Sequence, residues 1–187
     1  MERELVEGLR RREGAAFDRV YGLYRARLYG FLARVSGRRD LAEELLQETF
    51  LRLAARAAEL RPDTHLSGWL FTVARNLWIG HLRATALEVE RVDRAALADP
   101  TVPTPFEELA ATETQRRLER ALAAVPAVYR EVLLLVVVER LEPTEAAAVI
   151  GLTPEALRQR LARARAMLEE ALVDEPIRRR AAGTREP

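Results

Sequence analysis

The sequence predicts an all-α protein: two small helical domains joined by a flexible, proline-containing linker, the second domain carrying a helix-turn-helix. Three observations lead there. Apolar residues recur at intervals of three and four along most of the chain, the period of one helix face. Alternating or β-branched runs that would mark strands are nearly missing. Pro100, Pro103 and Pro105 fall close together and interrupt the helical texture near the middle of the 187-residue chain. A chain of this length fits one ordinary domain or two small ones. The change of texture favours two, with a first domain over 1–86, a linker over 87–106, a second domain over 107–173 and a disordered tail over 174–187.

Each element has its own signal. In "FDRVYGLYRARLYGFLARV", Phe17, Val20, Tyr21, Tyr24, Leu28, Phe31, Leu32 and Val35 share a face. Gly37 follows as a C-cap, where a residue without Cβ tolerates a left-handed backbone. "LAEELLQETFLRLAARAAEL" is a second amphipathic helix. "RPDTHLSG" is a loop punctuated by Pro62 and Gly68, with Asp63, Thr64 and Ser67 able to make local caps. "WLFTVARNLWIGHLRAT" is a third helix. Past the linker, helices are expected near 107–124, 126–140, 144–150 and 154–172. The tail "DEPIRRRAAGTREP" lacks apolar periodicity.

Composition excludes several classes. The longest apolar run, Val132 to Val138, is far below the roughly 20 residues that span a bilayer. "MERELVEGLRRREG" has charge with no apolar core behind it, so it is not a secretory signal. Cysteine is absent, which removes disulfides and thiolate metal sites. These features point to the cytoplasm and to no stable membrane insertion. With two histidines, no phosphate-binding glycine loop and no nucleophile–base pair, neither an enzyme nor a cofactor or metal is expected. All 30 basic residues are arginine, so every cation is a planar fork suited to phosphate and guanine.

The chemistry concentrates in "PTEAAAVIGLTPEALRQRLARARAML". Thr144 is expected to cap a short helix. Gly151 stands where the turn needs a positive φ. Thr153 suits the N-cap of a second helix, Pro154 its first position, and Glu155 its positive end. Ala147 supplies the small side chain two crossing helices require. On the second helix Leu157, Leu161, Ala164 and Leu168 form the buried stripe. The opposite face gathers Glu155, Gln159 and Arg163, flanked by Arg158 and Arg160; Arg165 lies nearer the buried edge, in reach of phosphate. Between Ala156 and Leu168 there are four arginines and no acid. Such a face fits a DNA major groove, where Arg reads guanine or grips phosphate and Gln pairs with adenine. A solvated structural face and a membrane-surface helix are the alternatives; the turn signature favours DNA.

Three further stretches, in order before this pair, are "LAEELLQETFLRLAARA", "SGWLFTVARNLWIGHLR" and "LERALAAVPAVYREVLLL". Together the four resemble the bacterial extracytoplasmic-function (ECF) sigma factors, the small two-domain sigma factors of RNA polymerase. The resemblance runs from about Leu5 to Leu172. It implies that the chain binds core RNA polymerase, directs it to promoter DNA and assists strand opening. It also implies an anti-sigma factor as a further partner. The acidic-and-glutamine pattern of the polymerase-binding helix maps to Asp40, Glu43, Glu44, Gln47 and Glu48. The reader of the downstream promoter element maps to Arg61, Asp63, Thr64, His65, Arg75, Asn76, Trp78 and Arg83, where unpaired bases must be stacked and held. The reader of the upstream element maps to Glu155, Arg158, Gln159, Arg160, Arg163 and Arg165. Trp69 fits the family's core tryptophan, whereas Trp78 suits either core or a stacking platform. The linker resembles the family's acidic connector, with Asp99, Glu107 and Glu108.

Two departures stand out. Gly80 occupies a place where the family usually has an acid, and Glu155-Ala156 stands where Gly-Thr is common. They keep open a sigma-like decoy that binds a regulator without directing initiation. A simple DNA-binding regulator is the other alternative, though it leaves the whole N-terminal block unexplained. A linker of this kind also lets the two domains clamp together and hide both DNA faces, which predicts poor promoter binding by the isolated chain.

Overall fold

A computed structural model describes residues 2–89 and 112–182. The described residues form eight α-helices and no strand. In chain order they are α1 (Glu2–Arg10), α2 (Gly14–Ser36), α3 (Arg39–Arg56) and α4 (Leu66–Val89), then α5 (Glu113–Ala124), α6 (Ala127–Leu133), α7 (Pro143–Ile150) and α8 (Pro154–Ala182). A 3-10 turn, Ala57–Glu59, follows α3, and a π-helical turn, Leu134–Val138, extends α6. The expected all-α architecture in two regions is what the chain adopts.

α2 is the axis of the first block. Val20, Leu28, Phe31 and Leu32 are buried along it, and Phe31 meets Phe71 of α4 edge-on at 5.4 Å. Gly37 ends the helix as expected, at φ 69°, its N–H donating to Ala33 O. Helix α1 was not expected from the sequence. It closes one end of the block by burying Leu5, Val6 and Leu9, and its Glu2 carboxylate accepts from the Leu66 N–H at 2.8 Å, satisfying an open amide at the start of α4.

In the second block, Thr112 caps α5 through a reciprocal pair with Gln115. The short α7 begins differently from the reading above: Glu142 is the N-cap and Pro143 the first helical residue, so Thr144 lies one step inside. Gly151 then turns the chain at φ 75°, and Leu152 N donates back to Ala147 O at 2.9 Å, closing the α7 end. Ala147 and Ala164 are both buried where α7 and α8 pack. Helix α8 runs on to Ala182, so residues 174–182 are helical where a disordered tail was expected; 183–187 lie outside the described residues. Most of the expected linker, 90–106, and the expected helix start at 107–111 lie outside them as well.

The two blocks are in contact. α4 packs on α7 and α2 on α6, and the buried apolar residues form one continuous cluster.

Candidate nucleic-acid and polymerase interfaces

The arginine face of α8 is built by its own N-terminus. Thr153 Oγ1 accepts from the Ala156 N–H at 3.1 Å, which fixes the first turn. Leu157 and Ala164 are buried, and Leu161 and Leu168 are half-buried against the core, so the stripe read from the sequence faces inward. Arg158, Gln159, Arg163 and Arg165 are exposed. Arg163 and Arg165 form no ion pair among the described residues, leaving their forks open to a phosphate or a base edge. Arg158 is engaged with Glu155, and Gln159 Nε2 lies 3.5 Å from the same carboxylate. The Arg158 hydrogen bond holds the Glu155 carboxyl below its ordinary range. The acid that departs from the family pattern is thus a paired one. Arg160 turns away from the open face: it is 28% exposed and lies 3.9 Å from the buried Glu131 carboxylate of α6.

The downstream-reader residues separate into two groups. Arg61, Asp63, Thr64 and His65 gather on one wall of an open cleft of about 430 Å3 whose other walls include Arg56, Glu59, Gly68, Trp69 and Thr72. A Thr64 N–H to Arg61 O bond of 3.0 Å folds the loop. Arg61 and Asp63 lie 3.5 Å apart with both side chains well solvated. His65 is exposed, its Nδ1 3.9 Å from Glu2. Arg75, Asn76, Trp78 and Arg83 lie along α4 outside that cleft. Asn76 and Arg83 are exposed.

Two assignments change here. Trp78 is 3% exposed and part of the core, so it offers no ring face to a base in this arrangement. Trp69, taken as core, packs against the core while half-buried and also lines the cleft beside Gly68, a position the sequence reading did not give it. Proximity to the loop was the available signal, since Trp69 opens α4 while Trp78 lies deep within it. Arg75 is also not open: its Nε donates to Glu131 Oε2 at 2.7 Å, and the two side chains are 16% and 2% exposed.

The acidic helix α3 behaves as an amphipath. Leu41, Leu45, Leu46, Phe50 and Leu53 are buried. Glu43, Glu44 and Gln47 are exposed and Glu48 is partly so, with Arg52 donating to Glu48 at 2.8 Å. Asp40 is paired with Arg38, whose hydrogen bond pulls its carboxyl down to about 2. Among the described residues no cluster of three metal-ligating side chains occurs, and no helix is long and apolar enough to cross a membrane.

Comparison with known proteins adds the following. Residues 20–87 match the family model for sigma-70 region 2, and residues 115–168 that for sigma-70 region 4. The chain is 34% identical over 151 residues to the ECF RNA polymerase sigma factor EcfG of Rhodopseudomonas palustris, covering 78% of each. It is 33% identical over 163 residues to the RNA polymerase sigma factor CarQ of Myxococcus xanthus, covering 86% of this chain and 92% of that one. A probable RNA polymerase sigma factor of Xanthomonas campestris, RfaY, is 36% identical over 141 residues; the match covers 72% of this chain and only 35% of that longer protein. Among solved structures, the sigma factor RpoE in complex with the anti-sigma factor NepR from Bartonella quintana superposes with a TM-score of 0.72 at 27% identity, covering 83% of this chain and 96% of that one. CnrH, solved with the cytosolic domain of CnrY, shares the fold at 24% identity and a TM-score of 0.67, covering 93% of this chain and 97% of that one.

Proposed function

Because this chain belongs to the ECF sigma factors of RNA polymerase, we propose that it binds core polymerase through α3, reads the upstream promoter element with α8 and takes up the melted downstream strand at the cleft beside α4. It is an initiation factor: it directs polymerase to promoters, and the chemistry of RNA synthesis belongs to the polymerase. The observation that supports this division of labour is the pairing, in one chain, of two unlike surfaces. The first turns of α8 present an exposed, arginine-rich face whose one acid, Glu155, is paired with Arg158, which suits a duplex groove. The loop beside α4 is a cleft with an aromatic wall and polar edges, which suits an unstacked base.

In this reading Arg163 and Arg165 act directly on duplex DNA, Arg158 after exchanging Glu155 for a phosphate, and Gln159 on a base edge. Arg61, Asp63, Thr64, His65 and Trp69 hold the downstream strand; Asn76 and Arg83 contact it along α4. Glu43, Glu44, Gln47 and Glu48 present a negative face to a basic polymerase surface. We place the first domain at 1–86 and the second from 107, and extend the second along α8 past residue 173. The protein works beside the polymerase in the cytoplasm. An anti-sigma factor, of the kind bound to RpoE in the Bartonella structure, is its expected regulator.

The test of the polymerase assignment is co-elution. Core polymerase should retain the chain on a sizing column, and Glu44→Arg with Gln47→Ala should release it while helicity stays unchanged. Full retention of that variant would move the contact away from α3.

A further inference from the structure

Resting on the reading of α8 as the upstream reader, we infer that Glu155 is a specificity-setting residue: it reads a cytosine in the major groove, and in doing so releases Arg158 to a phosphate. Glu155 stands in the first turn of α8, the part of a recognition helix that meets base edges. At about 100° per residue, Gln159, Ala162 and Ala166 fall within about 40° of it, and all four are exposed. They form a column opposite the buried Leu157 and Ala164. Arg158 and Arg165 lie about 60–80° to one side of this column and Arg163 about 80° to the other. The column is therefore the part of the face that enters a groove. Its two alanines let the helix sit deep, and the arginines flank it toward the two phosphate walls.

An ionised carboxylate only accepts hydrogen bonds. In the major groove it matches the N4 amino group of cytosine and is repelled by phosphate and by the acceptor edge of guanine; adenine offers a donor but sets its N7 acceptor beside it. In the free chain the Glu155 carboxylate is occupied within its own helix. Arg158 Nη2 donates to Glu155 Oε2, and Gln159 Nε2 lies 3.5 Å from Oε1. The Arg158 hydrogen bond holds the carboxyl below its ordinary range, so it is ionised at neutral pH. One acid thus holds two reader side chains. Opposite a cytosine all three find partners: the N4 donor takes the carboxylate, Arg158 turns to the flanking phosphate, and Gln159 is freed for its own base edge. Opposite another base, Arg158 stays with the acid and a phosphate contact is lost, or the carboxylate enters the groove unpaired. Base identity and phosphate grip are coupled through a single side chain.

The test is selection of randomised duplex DNA by the full chain on core polymerase, for the wild type and for Glu155→Gln. The side chains of Arg158 and Glu155 are 66% and 63% exposed, so replacing them should leave the thermal midpoint in place. The wild-type motif should fix a cytosine that Glu155→Gln no longer fixes. The preference at that position should fall roughly 5- to 150-fold, the range for one good base contact. On duplex of mixed sequence Glu155→Gln should bind more tightly than wild type. Its salt slope should steepen by roughly 0.9, one further phosphate, because Arg158 is free. With Arg158→Ala in place, Glu155→Gln should leave the salt slope unchanged. A Glu155→Gln variant that keeps the cytosine preference would overturn the base reading. An unsteepened slope, or the same steepening without Arg158, would overturn the exchange. A wild type that binds core polymerase yet enriches no motif would sink the assignment of α8 as upstream reader, and this inference with it.

Discussion

Trp69 and Trp78 share a helix and have opposite surroundings. Nine residues apart, they sit on opposite sides of α4, and because that helix carries apolar residues nearly all round, spacing alone does not say which side meets the core. The tertiary neighbours decide, and they bury Trp78 and leave Trp69 on the cleft wall. Trp69→Ala should weaken capture of a melted downstream strand by ~1–3 kcal/mol, the range for one lost base–aromatic stack, and lower the denaturation midpoint less than Trp78→Ala does, since its indole is only half-buried against the core. Trp78→Ala should instead destabilise the fold by ~3–5 kcal/mol, as large-to-small changes in a packed core do. Fluorescence binding and urea melts of the two variants separate these outcomes. The exposed, unpaired Arg163 should behave like a reader: Arg163→Ala is expected to lose ~1–3 kcal/mol of upstream-duplex affinity at unchanged stability. Asp40 offers a check in solution. Its carboxyl should titrate at about 2 by carbon NMR, below an ordinary aspartate, and rise in Arg38→Ala while staying lowered by the Leu41 backbone hydrogen bond that remains. The sign follows from a depressed folded value: the Arg38 contact is fully present above the ordinary aspartate range and is lost as pH falls toward 2.

At the scale of elements, what is locally encoded was legible. The α7–α8 turn depends on residues within a few positions of one another, and Gly151, Thr153 and the Leu157–Ala164 stripe all act as their neighbours in sequence imply. Thr153→Ala should lower stability by ~1 kcal/mol, the usual loss of a cap, seen as a shift in thermal midpoint. The misses are mostly non-local. Helix α1 sets Leu5, Val6 and Leu9 at helical spacing against charged residues, a short signal that was legible but not read as a helix; it is held by the cluster it joins and by Glu2 reaching Leu66. The π turn was not legible. Leu134 to Val138 is a continuous apolar run in which period carries no information, and it ends with Glu139 N donating to Leu134 O and Arg140 at φ 55°. The pairing of Arg75 with Glu131 joins positions 56 residues apart. Nothing in either local pattern announces it, and it changes what Arg75 is available to do.

For the whole molecule, the order of motifs revealed the family, while the relation between the two blocks emerged only in three dimensions. A reading of the sequence motif by motif leaves every predicted reader equally open. The contact between the blocks occupies Arg75, while Arg160 is half-withdrawn within its own block and the rest of the α8 set, the cleft, Asn76 and Arg83 stay open. Glu131, an acid, tolerates near-complete burial because two guanidiniums converge on it, Arg75 from across the contact and Arg160 from its own block. The central claim remains that this chain selects promoters for RNA polymerase. Its most direct test is to map transcription start sites on a genomic promoter library with core polymerase, with and without the protein. The account predicts new, sharply positioned starts that share an upstream sequence motif and disappear with Arg163→Ala. Core polymerase that binds the protein yet gains no starts would contradict it.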